Sequence, residues 1–323
     1  KELLQAVADM GFTQPTAVQM ATIPKAMQAL DADPKAPKFT DLLVSSQTGS
    51  GKTAAFLLPV LHTLIRQQAE AEAAARAEFE KSVAEAAARG EAAPKRAKRK
   101  DPTNSRNFKA ATPGALILCP TRELAQQVAH DAIDLVKHCR GLRVANVVGG
   151  MPYQLQIAKL QNANLVVATP GRLLDLQRSM QIKLDKVQFL VVDEADRMLD
   201  LGFSDDLAEL NQLTAQRKQT MMFSATFAPR IQQLAMRVMH DGGASVQKVT
   251  IDSPQEKHAN IKQMLYWADN AQHKRKLLDH WLRDTSINQA IVFASTQVEC
   301  DGLANDLQQE GFSAVALHGA LSQ

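Results

Sequence analysis

Residues 45–53, SSQTGSGKT, place two glycines, a lysine and a hydroxyl directly ahead of an apolar run, AAFLLPVLHTLI. A phosphate cradle requires that combination: backbone N–H groups converging on an anion at a helix N-terminus, a lysine for the outer phosphates and a hydroxyl for magnesium. The usual spacing, G-x-x-x-x-G-K-[ST], has glycine where this chain has Ser46. That position mainly needs a small residue, so Ser46 weakens the match without removing it. Ser46, Gln47, Thr48, Gly49, Ser50, Gly51, Lys52 and Thr53 are the expected phosphate contacts. A second constellation follows another apolar run in FLVVDEAD, residues 189–196. There Asp193 at a strand end suits magnesium held through water, and Glu194 suits orienting and deprotonating an attacking water, the division of labour of phosphoryl hydrolysis. Acidic residues after a strand are common in loops, and only together with the lysine loop do they make Lys52, Asp193 and Glu194 a candidate catalytic set, with Thr53 and Asp193 as the magnesium residues.

These groups need strands to end beside one another. Short β-branched runs recur with helical segments between them: DLLVSS (41–46), GALILCPT (114–121), LRVANVVGG (142–150), NLVVATP (164–170), VQFLVVDEAD (187–196) and QTMMFSAT (219–226). Continuous apolar strands alternating with helices indicate an α/β fold with a parallel sheet covered on both faces. Met198, Met221 and Met222 read as core filler. The rhythm resumes in KQMLYWA, NQAIVFAST and FSAVALHG, which predict three strands of a second domain. The expected division is residues 1–243, a linker at 244–259 with paired glycines before it and Pro254 within it, and 260–323. Pro59 is expected to kink or end its helix, as a matter of packing.

One stretch, about residues 66–112, breaks the rhythm. It is rich in Ala and Glu and then reaches PKRAKRKDPTNSRN, with no apolar stripe wide enough for a core. Helix propensity favours a projecting helix followed by a disordered basic tail. The run KRAKRK reads by default as a solvated projection, with an RNA-contacting tail and a targeting signal as the alternatives.

Bulk composition excludes more than it selects. A chain of 323 residues, 45% hydrophobic and 22% charged, is ordinary for a soluble globular protein of two domains, and no apolar run approaches the length that spans a bilayer. A net charge of +3 is too small to require a nucleic-acid partner. Cys119, Cys139 and Cys300 are scattered and odd in number, which encodes neither a disulfide framework nor a zinc site and fits a reducing, cytoplasmic setting. The start, KELLQAVADMGF, is amphipathic and unlike a secretory leader, as expected of a cytosolic or trimmed chain.

The ordered motifs resemble the DEAD-box ATP-dependent RNA helicases over nearly the whole chain apart from the insertion. GFTQPTAVQ resembles the family's Q motif, SSQTGSGKT motif I, PTRELA motif Ia, GG at 149–150 the glycine doublet, TPGRLLD motif Ib, DEAD motif II and SAT motif III. In the second domain IVF resembles motif IV, and HGALSQ the approach to the next RNA-contacting motif. The resemblance implies two RecA-like P-loop NTPase domains, ATP and Mg²⁺ as cofactors, and RNA as the partner, with ribonucleoprotein partners beside it. It also implies residue roles. Phe12 would pack near the adenine and Gln19 hydrogen-bond its edge; a helix cap with Thr13 before it and Pro15 in its first turn is an equally sound local reading. Pro120, Thr121, Arg122, Thr169, Pro170, Gly171 and Arg172 would bind phosphates of one strand, with Gly149 and Gly150 allowing close backbone approach. Recognition would then be largely independent of sequence and tied to 2′-hydroxyls. Ser224, Ala225 and Thr226 would couple to Asp196 through hydrogen bonds from Ser224 and Thr226.

The family's arginine-rich finger motif has no match before Gln323, so the second domain is expected to be partial, and the chain a fragment not competent alone. The implied activity is opening short RNA duplexes or remodelling RNA–protein complexes. The alternatives are an ATP-gated RNA clamp and a DNA-directed translocase with the same core.

Overall fold

The computed structural model describes residues 1–32, 38–100, 104–243, 245–251 and 262–319. The chain divides into two compact units near residue 252. In the first, the elements run α1 (Glu2–Asp9), α2 (Ala17–Ala32), β1 (Leu42–Ser45), α3 (Lys52–Ala88), β2 (Ala115–Leu118), α4 (Arg122–Leu135), β3 (Val144–Val147), α5 (Tyr153–Leu160), β4 (Leu165–Ala168), α6 (Pro170–Arg178), β5 (Phe189–Val192), α7 (Ala195–Asp200), α8 (Ser204–Leu213), β6 (Gln219–Ser224), α9 (Pro229–Val238) and β7 (Gln247–Val249). The strands form one sheet in the order β3-β4-β2-β5-β6-β1-β7. All its pairings are parallel.

The continuous apolar runs are explained by burial on both faces. Successive side chains of a strand point to opposite sides. Leu42, Val44, Ile117, Val191 and Phe223 therefore join the core under α2, α3 and α4. Leu43, Leu116, Leu118, Val192 and Met222 join the one under α6 to α9. Met198, Met221 and Met222 are buried in these layers. On the first face Phe56 of α3 meets Phe223 of β6 edge-on, with ring centroids 5.2 Å apart.

Three expectations change. The helix after the glycine loop neither ends nor breaks at Pro59 but runs 37 residues to Ala88. The hydroxyl of Thr63 donates to the Pro59 carbonyl at 3.1 Å, and the proline ring itself is buried. At 1.5 Å per residue the helix is roughly 55 Å long, so the Ala/Glu segment is a continuation of the cradle helix and not a separate one. The second change is at the expected linker. Gln247–Val249 adds a strand beside β1, which carries the first unit past residue 243, while residues 244 and 252–259 of that linker lie outside the described residues.

The third concerns the second unit. Its described residues hold α10 (Ala271–Leu282), capped by Asn270, and α11 (Gln297–Gln309), capped by Thr296. The three expected strands are absent among the described residues, and residues 320–323 of HGALSQ lie outside them. Trp267, Phe293 and Leu317 are 86%, 92% and 87% exposed. A strand is stabilised by cross-strand partners, and these runs have none among the described residues, although Phe312, Ala314, Ala316 and His318 are alternately half-buried.

Because Phe223 joins the cradle helix to the centre of the sheet, Phe223→Ala should cost about 3–5 kcal/mol of the first unit's stability, read as a lower urea midpoint at an unchanged m-value.

Candidate active site and nucleic-acid interface

The glycine loop leaves β1 and turns into α3 with Gly49 at φ +79° and Gly51 at φ +82°, backbone that only glycine adopts without strain. No side chain caps the helix at Gly51, so its first N–H groups remain available to an anion. Across the sheet the register aligns Ser45 with Ser224, and Val192 with Met222. β1 and β6 therefore end level, while β5 stops two residues short, so that Asp193 and Glu194 follow it at the level where its neighbours end. That places the buried Lys52 Nζ 2.9 Å from Asp193 Oδ1 and 3.4 Å from Glu194 Oε1. Glu194 sits in the left-handed region at φ +50°, a strained conformation for a non-glycine residue, and Arg197 Nη1 lies 3.6 Å from its other oxygen. Ser46, Thr48, Lys52, Glu194, Asp196 and Ser224 line a cavity of about 200 Å³.

Burial pushes the Asp193 carboxyl above its ordinary range against the pull of Lys52. Burial draws Lys52 down, but Asp193 and Glu194 more than offset this and its ammonium lies above its usual value. One lysine thus serves two carboxylates. The Asp193 Oδ2 atom and the Ser46 and Ser50 hydroxyls are buried with no hydrogen-bond partner. Oxygen donors left unsatisfied beside an anion cradle fit a hard divalent cation shared with phosphate oxygens. Thr53, half-buried in the first turn of α3, stands on the same loop.

Gln19 meets this loop from α2. Thr16 N–H donates to Gln19 Oε1 at 3.0 Å and Gln19 N–H to Thr16 Oγ1 at 3.5 Å, a reciprocal capping box. The cap is therefore Thr16, not Thr13, and Pro15 precedes the helix. The T-x-x-Q spacing was readable in the sequence. Gln19 Nε2 then donates to the Gly51 carbonyl at 3.0 Å. Each end of the amide retains capacity for one further bond. Phe12 is 53% exposed nearby in the chain.

The remaining strand-end residues gather on β2, β4 and β3, which are neighbours. Thr121, after Pro120, caps α4 by accepting from Leu124 N–H at 3.3 Å. Arg122 lies against Gly150, where φ is +79° and an added Cβ would stand 2.5 Å from Nη1, while Gly149 is open. Thr169 precedes α6, whose first residues are Pro170 and Gly171, and it makes no side-chain cap. Arg172 Nη1 donates to Gln156 Oε1 at 3.3 Å and to the Met151 carbonyl at 3.4 Å, and its guanidinium lies over Tyr153 at 5.4 Å. Gln156 in turn donates to the Val148 carbonyl. Gln156 and Tyr153 carried no local signal, since their partner, Arg172, lies on a different helix.

The SAT expectation fails in detail. The Ser224 hydroxyl accepts from Thr226 N–H at 3.4 Å and the Thr226 hydroxyl from Ala228 N–H at 3.1 Å. Neither bonds Asp196; each hydroxyl oxygen accepts instead from the amide two residues on. Ser224 and Ala225 instead share the cavity wall with Asp196.

The DEAD/DEAH box helicase family model matches residues 16–234. The chain belongs to that family. Among curated DEAD-box relatives, the ATP-dependent RNA helicase SrmB of Escherichia coli K12 is 34% identical, covering 100% of this chain and 61% of its own. RNA helicase CrhR of Synechocystis is 34% identical, over 99% and 53%. The chain thus spans less than two thirds of these relatives. Two solved structures also align. A hypothetical ATP-dependent RNA helicase from Sulfolobus tokodaii has TM-score 0.58 at 28% identity, covering 94% of this chain and 71% of that one. A DEAD box protein from Methanococcus jannaschii has TM-score 0.56 at 30% identity, over 100% and 71%. Among the described residues no helix is long and apolar enough to cross a membrane.

Gly51→Ala would strain a φ of +82° and drive a methyl to 2.6 Å from Gln19 Nε2. At roughly 1–2 kcal/mol for the left-handed conformation alone, its affinity for a fluorescent ATP analogue should fall by about tenfold or more.

Proposed function

We propose that this chain is the ATP- and RNA-binding core of an ATP-dependent RNA helicase working in the cytoplasm. The observation that carries the reading is the division of one row of strand ends. The lysine follows β1 and both acidic groups follow β5, on either side of β6, and Thr121, Arg122, Thr169 and Arg172 follow the adjoining β2 and β4. The names of the relatives support it.

In this reading the amides of residues 47–53 and Lys52 bind the phosphates of ATP, and Thr53 and Asp193 hold Mg²⁺, which neutralises phosphate charge when bound. Glu194 orients the attacking water and takes its proton. Lys52 holds Glu194 at 3.4 Å, and Arg197 holds its second oxygen. Gln19 reads the adenine edge with the capacity left over from its capping box, and Phe12 packs beside it. Thr121, Arg122, Thr169 and Arg172, with the N-termini of α4 and α6, hold RNA phosphates, and Gly150 keeps room for Arg122. Ser224, Ala225 and Thr226 report the state of the cavity through its wall. The substrates are short RNA duplexes and ribonucleoprotein complexes. Residues 262–319 belong to a second helicase domain.

Glu194→Gln should retain ATP yet slow hydrolysis by about 10²–10⁴, whereas Lys52→Ala should weaken ATP binding itself. Parent-rate hydrolysis by the glutamine variant would remove Glu194 from its role. Gln19→Ala should lower ATP affinity and narrow the preference over GTP, read by competition binding. ATP turnover by the full-length protein should rise with RNA more than with DNA of the same sequence; equal stimulation would favour a DNA-directed translocase. A multiple-turnover unwinding assay separates a helicase from an ATP-gated clamp.

A further inference from the structure

The basic insertion carries chemistry that neither strand-end site uses. Between residues 92 and 112 its sequence has seven cations, Lys95, Arg96, Lys98, Arg99, Lys100, Arg106 and Lys109, and one acid, Asp101. Its placement comes from α3. That helix starts at the C-terminal end of β1 and reaches the opposite pole of the sheet by Gln67, whose Nε2 donates at 2.7 Å to Gln188, the residue before β5. The rest of α3 projects beyond that pole. The tail then returns along it, with the Arg96 guanidinium 5.2 Å from the centre of the Phe79 ring.

Lys100, Arg106, Phe108 and Lys109 next surround a cavity of about 420 Å³ whose other wall is Gln161 and Asn162, just ahead of β4. Phe108 is 44% exposed beside these cations. Residues 91–100 are exposed throughout, and among the described residues none of the seven cations forms an ion pair.

We propose that this arm and cavity form a second binding surface for single-stranded RNA, at the pole of the sheet opposite the strand-end face. Cations so placed track a phosphate backbone, an exposed aromatic ring stacks a base, and amides meet base edges, the composition that suits a single strand. An acidic polypeptide would use the cations and leave Phe108 without a role. A four-residue strand is about 13 Å long, so RNA on the strand-end face reaches the arm only by passing around the sheet. Short RNA therefore engages one surface and long RNA both, and the second contact raises the local concentration of RNA at the first. The inference rests on the RNA reading above.

The test compares the full-length protein with the combined variant Lys95→Gln, Arg96→Gln, Lys98→Gln, Arg99→Gln, Lys100→Gln and, separately, with Phe108→Ala. Affinities are measured across a salt series for single strands of about six and about thirty nucleotides, lengths that bracket a single-domain site. The five-fold variant should lose affinity for the long strand, with its salt slope reduced by about 0.7 for each phosphate it no longer neutralises, and retain the parent affinity for the short strand and for ATP. Phe108→Ala should weaken the long strand at an unchanged slope. If the parent binds both strands and both variants superimpose on it, the second surface does not exist and the RNA reading stands. Equal weakening on the short strand would place the arm beside the strand-end face and overturn its remote position. Tighter binding of polyglutamate than of the long strand by the parent would make the occupant a polypeptide. A parent that binds neither strand would overturn both proposals.

Discussion

The ion pair between Lys52 and Asp193 is the constraint on which the rest of the first unit depends. Its 2.9 Å contact is buried and joins residues 141 apart in sequence, one beyond β1 and one beyond β5, with β6 between those strands. A lysine after β1 and an aspartate after β5 meet across β6 in the register that aligns Ser45 with Ser224 and Val192 with Met222, in which β5 stops two residues short of its neighbours. The sheet is held in that register by two apolar layers, since a one-residue slip would turn every core side chain to the other face. The charge pair adds little stability of its own, because burial costs much of what attraction returns. It is a site held ready, with Asp193 Oδ2 left over.

The strand order β3-β4-β2-β5-β6-β1-β7 separates two kinds of chemistry along one edge. Carboxylates and the lysine stand on the half formed by β5, β6 and β1, where they suit phosphate and metal. Helix N-termini, arginines and glycines stand on the half formed by β2, β4 and β3, where they suit a sugar–phosphate backbone. The halves meet between β2 and β5, whose residues pair from Ala115 with Phe189 to Leu118 with Val192. Any change at Asp193 is therefore one residue beyond a rigid strand that borders the second half. Close packing of this kind transmits strain between neighbouring strands.

Strain and unsatisfied groups are concentrated in the same place. Glu194 takes φ +50°, Gly51 takes φ +82°, and the Ser46 and Ser50 hydroxyls lack partners. Gln19 offsets part of this cost by closing its own helix cap and bonding the Gly51 carbonyl. The same side chain thus closes the start of α2 and positions the loop, which is why its chemistry reads equally well as a cap and as a nucleotide contact.

Local pattern was enough to predict the parallel α/β sheet, its six main strands, the glycine loop and the acidic strand end, because apolar runs, glycine spacing and residue chemistry are properties of short segments. It also predicted a projecting, uncovered insertion, because Ala, Glu and Lys cannot make an apolar face. Tertiary structure alone decided the course of α3 through Pro59, since Thr63 and the surrounding core outweigh a local helix breaker. It decided the added strand at Gln247–Val249 by offering β1 as a partner, and it left the runs around Trp267, Phe293 and Leu317 without one. It brought Tyr153 and Gln156 to Arg172, turned Ser224 and Thr226 toward local amides, and set the basic arm at the far pole of the sheet. Each of these depends on which segments distant in sequence become neighbours, a relation that no window of adjacent residues contains.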